Sequence, residues 1–298
     1  RNGGALAIML RRSTGERIFA ACNGVFMVFL MAITLYPLWY VTIASFSNPL
    51  AVSRGVVTLL PHDLELASYR RVFETRNIWT SYMNTVFYAV VGTAVSMALT
   101  VLGAYPLSKR RLAGRKLFMF AIMFTMWFGA GMMPTYLNFK ELGLLDTRLG
   151  LILCFAVSTF NVILMRTFFE NVPDSMEESA KMDGANDWHI LLRIYLPLSG
   201  PAIAAITMYY FVARWNSFFW AMLLLSDQSK VPLQVLLRRL IVDVAYSLNE
   251  YADVSANVMT EQTIVYATIV VAVIPMLILY PFIQKYFVKG VMVGAIKG

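Results

Sequence analysis

Charge is scarce in this sequence. Asp, Glu, Lys and Arg make up 14% of the 298 residues, against roughly a quarter in soluble globular domains, which argues against a soluble fold. Cysteine is nearly absent: Cys22 and Cys154 both sit in apolar runs, so no disulfide framework or metal-ligand spacing is present, and both read as lipid- or core-facing residues. The two histidines, His62 and His189, form no HExxH or paired spacing, so no metal is expected. No GxxxxGK[ST] phosphate loop occurs, and the chain is not expected to bind ATP itself. The long apolar runs lack Asp and Glu, against an ion-coupled transporter with a proton relay, and lack the clustered Ser, His or carboxylates that an intramembrane enzyme needs.

What is abundant is apolar. Hydrophobic residues reach 59% and mean hydropathy is +0.64, values that place the chain among membrane proteins. The net charge of +8 lies beside the apolar runs, which fits positive-inside anchoring against lipid better than binding to nucleic acid. The expectation is an all-α, polytopic membrane protein.

Six runs can cross about 30 Å of hydrocarbon. They span about 18–46, 78–108, 117–139, 149–165, 198–225 and 262–283. Pro37 is expected to kink the first, and Gly129, Gly131 and Pro134 to break the third near its outer end. Residues 1–17 carry Arg1, Arg11, Arg12 and Arg17 against Glu16 and read as a cytoplasmic leader; the first run is too long for a signal-peptide core. The densest basic patch, Lys109, Arg110, Arg111, Arg115 and Lys116, fixes its loop in the cytoplasm. Both termini then lie inside, with 18–286 as the membrane domain and 287–298 as a cytoplasmic tail. Between the last two runs, Val231, Val235, Leu236, Leu240 and Ile241 recur at helical spacing, an amphipathic helix over the outer surface that meets lipid, the bundle, a pore mouth or a partner.

A polar island interrupts this pattern on the cytoplasmic side, within a loop at 170–197. Asp174 with Glu177 three places on is a capping-box signal, so a short helix should start near Ser175 and stop at Gly184, with a second from Asn186 or Asp187 to Pro197. Small residues Ser179, Ala180 and Ala185 would let another surface approach. The order Glu178-Ser179-Ala180, Gly184, then Ile194-Tyr195-Leu196-Pro197 resembles the EAA loop of ABC importer permeases, with Ser179 in place of an Ala. The resemblance implies that Glu178, Ser179, Ala180, Asp183, Gly184 and Ala185 form a coupling helix that docks into an ATPase subunit. From the residues alone, an amphipathic connector remains the other reading.

Polar groups inside the membrane point to a pathway unless they only pack. Arg214-Trp215-Asn216 lies in the fifth run, with Arg214 about 24 Å along the helix from Leu198. A cation beside an indole can hold a sugar, particularly one bearing a carboxylate; the alternative is an Arg that snorkels to the outer interface beside a belt Trp. Asn84 and Asn161 are pathway contacts or helix-packing glue, and Tyr209 and Tyr210 stack on sugar rings or pack.

Further segments carry the resemblance: Phe46-Ser47 with Pro61 and Ser68-Tyr69, Pro232-Leu233-Gln234, and the ending from Phe287 to Gly298 are similar to the carbohydrate branch, on its maltose- and polysaccharide-uptake side. It implies a MetI-like six-helix permease subunit in a bacterial inner membrane, importing a saccharide; the charge of Arg214 points to an acidic one, such as a uronate polymer fragment. It implies two ABC ATPase subunits that use ATP and Mg, a second and paralogous permease, and an extracytoplasmic solute-binding protein. A peptide or phosphonate importer permease is the runner-up, and a channel a more distant one.

Overall fold

The computed structural model describes residues 14–250 and 256–295; the calls on residues 1–13 and 296–298 lie outside them. Every element is helical, with no strand among the described residues. The chain divides into two units, Arg1–Tyr69 with Val254–Val270, and Arg70–Asp253 with Val271–Gly298.

In the first unit, α1 (Thr14–Ser45) is one long helix that continues through Pro37, with its apolar side chains outward from Ile18 to Trp39. Nothing in its sequence alternates with polar residues, which suits a lipid-facing helix. Only its last turn is buried, where Ile43 and Ala44 pack on Val52 and Val57. Val52 lies on α2 (Pro49–Ser53), which Asn48 caps by accepting from the Leu50 N–H at 2.9 Å. Ser45 and Tyr69 share a hydrogen bond of 2.8 Å, and the Ser68 hydroxyl donates to Thr263 at 2.8 Å. The Ser68-Tyr69 pair starts α3 (Ala67–Glu74).

The second unit is built around α4 (Arg76–Ser108). It is followed by α5 (Arg115–Trp127) and α6 (Met132–Glu141), then α7 (Arg148–Leu153), α8 (Thr159–Glu170) and α9 (Asp174–Met182). Next come α10 (Asp187–Ile190), a π turn (Leu191–Tyr195), α11 (Leu196–Leu198), α12 (Gly200–Trp215), α13 (Phe219–Leu224) and α14 (Leu233–Glu250), while α15 (Ala256–Ala295) has residues in each unit. One end of α4 buries Ala104, Tyr105 and Leu107 against Met165 and Phe169 of α8 and Ala202 and Ile206 of α12. Toward its other end Tyr88 packs with Leu151, Ile152, Ala221, Val231 and Val235. The helix expected over the outer surface therefore packs on the bundle: α14 and the segment before it bury Val231, Leu233, Val235 and Leu237.

Among the described residues, three helical stretches are long and apolar enough to cross a membrane: Thr14–Ser45, Arg76–Ser108 and Glu261–Pro281. The third expected run is two helices, α5 and α6, bent by 115°. The break falls at Phe128–Gly131, where Gly131 has a φ of 84°, so the glycines act as expected. The fourth run, 149–165, is not one helix. It is α7 and α8 with Cys154–Ser158 between them and Phe155 at a φ of 52°. The fifth, 198–225, is α12 and α13, interrupted after Trp215, and the helical run Asp187–Leu198 meets α12 at 85°. The second helix expected of the loop, running until Pro197, is the helical run Asp187–Leu198, which ends one residue beyond that proline.

Candidate functional site: an exposed helical turn and a cavity in the bundle

Helix α9 starts without the expected capping box. Pro173 occupies its N-cap and offers neither a side-chain acceptor nor an N–H, so neither bond of the box can form, and Glu177 turns inward. Glu177 is the buried residue of α9. Its carboxylate accepts hydrogen bonds from the ammonium groups of Lys109 and Lys181 and, at 2.9 Å, from the Tyr195 hydroxyl; the Arg111 guanidinium stands at 3.5 Å. The Lys109 ammonium lies 3.7 Å from the centre of the Tyr195 ring and 4.3 Å from that of Tyr105, a cation in the corner of two rings set at 82°. Arg111 also donates to Asp187 at 2.8 Å. Nearby, Arg115 and Arg166 both donate to Glu170, and both reach the Leu107 carbonyl, which the end of α4 leaves without a helical partner.

Burial pushes the Glu177 carboxyl up, and the hydrogen bonds from Lys109, Lys181 and Tyr195 outweigh it, holding the group at about 2. The same burial pulls the Lys109 ammonium down, offset in part by Glu177. Sequence reading missed this cluster. Lys109 is 68 residues from Glu177, and the capping-box pattern gave the acid another job.

After α9 the chain turns in a Schellman motif. The Ala185 N–H donates to the Ala180 carbonyl at 2.9 Å and the Gly184 N–H to Lys181 at 3.0 Å, with Gly184 at a φ of 80°. Ala180 and Ala185 lean on the core. Glu178, Ser179, Asp183 and Gly184 are exposed, as are two side chains the sequence reading did not single out, Met182 (88% exposed) and Trp188 (61%). Their only signal was a large apolar residue on each side of a glycine turn. Asn186 caps the next helix through the His189 N–H at 2.8 Å, and beside the turn lies a cavity of about 340 Å³ reaching His189 and Arg193. The six coupling candidates thus share one turn.

The pathway candidates do not stay together. Successive residues on a helix point about 100° apart, so Arg214, Trp215 and Asn216 diverge. Trp215 is buried, stacked 6.0 Å from Phe211 and edge-on to Tyr82. Asn216 is exposed and donates back to Val212 at 3.0 Å. Asn84 is buried and fastens the segment before α14, donating to the Ser229 carbonyl at 2.8 Å and to Val231 at 3.1 Å, while Arg148 donates to it at 3.1 Å. Arg214, Tyr209, Tyr210 and Asn161 do converge, around a cavity of about 460 Å³ that also meets Ser158, Phe155 and Trp220.

The Arg214 guanidinium does not snorkel. It donates to the Leu151 carbonyl at 2.8 Å, to Ile152 at 2.9 Å and to the Ser96 hydroxyl at 3.3 Å. These are the carbonyls that α7 frees where the helix breaks, so the Arg is what permits the break in an apolar setting. Gly92 makes room: a Cβ there would stand 3.2 Å from Arg214 Nε. No carboxylate pairs with Arg214 within 4 Å among the described residues. The Tyr210 hydroxyl bonds Thr100 at 2.6 Å and accepts from the Ser158 N–H at 3.0 Å, while Tyr209 is the more exposed of the pair and lies 6.4 Å from Phe160.

Residues 116–293 match the family described as binding-protein-dependent transport system inner membrane component. The polygalacturonan/rhamnogalacturonan transport system permease protein YtcP of Bacillus subtilis (strain 168) is 46% identical over 284 residues, covering 95% of this chain and 99% of that protein. Protein LplC of the same organism is 40% identical over 289 residues, covering 97% and 98%. Among solved structures, a chain of a bacterial ABC transporter involved in the import of the acidic polysaccharide alginate superposes with a TM-score of 0.86 at 46% identity, over 93% of this chain and 99% of that one.

Proposed function

The chain belongs to the family of binding-protein-dependent transport system inner membrane components, and on that premise we propose that it is the permease subunit of an ATP-driven importer of an acidic saccharide. It pairs with a second, paralogous permease to make the passage. Two ATPase subunits supply the energy, using ATP and Mg that this chain does not bind, and an extracytoplasmic binding protein delivers the sugar. The membrane domain crosses six times with both termini in the cytoplasm, so that the loop 170–197 faces the ATPases.

The observation that carries this reading is the exposed turn at Gly184. Glu178, Ser179, Asp183 and the two apolar side chains Met182 and Trp188 stand outward on a motif whose own hydrogen bonds are complete. Such a knob is available for a partner to push. ATP-driven movement of α9 switches the permease pair between outward- and inward-facing states.

The substrate class is drawn from the pectic-polysaccharide permease and the alginate importer, both named for acidic polymers, and from Arg214. A fixed cation without a carboxylate partner, lining a cavity with Tyr209 and the Phe155 and Trp220 rings 5.3 Å apart, favours a ring that carries a carboxylate. Reconstitution of the complete importer in proteoliposomes tests this. ATP-dependent uptake of a uronate oligosaccharide is expected to exceed that of a neutral one of equal length, and Arg214→Gln to reduce the acidic substrate's uptake at least tenfold more than the neutral one's. Equal losses for both would leave Arg214 as a helix cap alone.

A further inference from the structure

We propose that Glu177 is the pin through which displacement of the exposed turn reaches the membrane helices. It is a positioning residue that joins α9, the end of α4 and the segment leading into α12 in one polar joint. The inference rests on the turn being the ATPase contact.

Glu177 and Glu178 are neighbours that face opposite ways, Glu177 buried and Glu178 exposed. Helix α9 has nine residues, and Glu177 is its one buried side chain. Whatever α9 transmits passes chiefly through that carboxylate. Its donors come from three places: Lys109 immediately after α4, Lys181 one turn along α9, and Tyr195 at the end of the π turn. Apolar contacts permit sliding, whereas a carboxylate that accepts from two other segments as well as from its own helix fixes both distance and direction. Lys109 also lies over the rings of Tyr105 and Tyr195, which stand nearly perpendicular to each other, and Arg111 to Asp187 ties the start of α10 to the same loop. From Tyr195 the chain runs through α11 and bends by 85° into α12, which carries Arg214 and Tyr210. The joint therefore lies between the knob and the cavity.

The test uses the whole importer, with both permeases, the ATPases and the binding protein, in proteoliposomes. Two variants are compared with the wild type: Glu177→Gln, and Glu177→Gln with Lys109→Met. The double variant removes the lysine charge that the single one strands in a buried site. ATP hydrolysis and saccharide uptake are measured together, with recovery of the ATPases on the purified complex. The expected result is that both variants retain the ATPases and hydrolyse ATP within about twofold of the wild type. Saccharide moved per ATP should fall at least tenfold in both.

Restored stoichiometry in the double variant would overturn the proposal, since Glu177 would then matter only for keeping a buried charge paired. Loss of the ATPases from either variant would overturn it too, because Glu177 would then shape the docking surface instead of passing force from it. Should the wild-type complex show no ATP-driven uptake at all, the importer reading itself fails, an outcome separate from the first two.

Discussion

At the scale of single residues, buried charges are the informative ones, because each must be matched and the match names its neighbours. Glu177 is such a group. An ordinary glutamate here would titrate near 4.5, and this one is held at about 2. A folded-state value below the unfolded one gives stability that is complete above about 4.5 and is lost as pH falls from there towards 2. Thermal melts of the detergent-purified protein should therefore drop steeply across that window, and the Glu177→Gln, Lys109→Met variant should lack most of the drop. Parallel curves would mean that the carboxylate is not paired as described. Arg214 illustrates the same rule without an acid. Of its three hydrogen bonds from a charged donor, each worth about 1.5–3 kcal/mol where made, two hold it to the end of α7 and one to Ser96 of α4.

Among elements, the turn after α9 was readable in advance and the break between α7 and α8 was not. A glycine four residues beyond Ala180, between two polar helical patterns, announces a left-handed cap. Nothing stands within 4 Å of the place where a Cβ would sit on Gly184, so the demand there is on backbone angle and not on space. A left-handed conformation costs most residues about 1–2 kcal/mol and Asn less. Gly184→Val is accordingly expected to lower saccharide moved per ATP several-fold, and Gly184→Asn to retain most of it in the same uptake assay; equal behaviour would remove the angular requirement. The residues between α7 and α8 give no such notice. Phe155 adopts a positive φ inside an apolar run with no Gly or Pro beside it, and the group that stabilises the break is Arg214, about sixty residues on. For the same reason the sequence grouped Arg214 with Trp215 and Asn216, its neighbours in the chain. The fold instead groups it with Asn161, Tyr209 and Tyr210. Helix count and polarity follow local pattern, whereas partners across helices depend on which faces meet.

For the molecule as a whole, the bundle around α4 places the knob at the end where Tyr105 and Leu107 are buried, and α7, α13 and the start of α14 toward the other. The importer reading requires that first end to lie in the cytoplasm. Cysteine introduced at Met182, which is 88% exposed, should react with a membrane-impermeant maleimide in inside-out vesicles and stay unlabelled in intact spheroplasts. Labelling from the outer face alone would place the turn beyond the reach of any ATPase.

The broken segment capped by Arg214 has one more consequence for a cell that lives on its proton gradient. A passage wide enough for a sugar ring is also wide enough for a file of water, along which hydronium can leak. On the proposed route, a guanidinium held at the wall of the cavity would repel that cation while leaving an anionic cargo its path. On that route the residue that lets the helix break would also oppose the leak, a second use of the same charge.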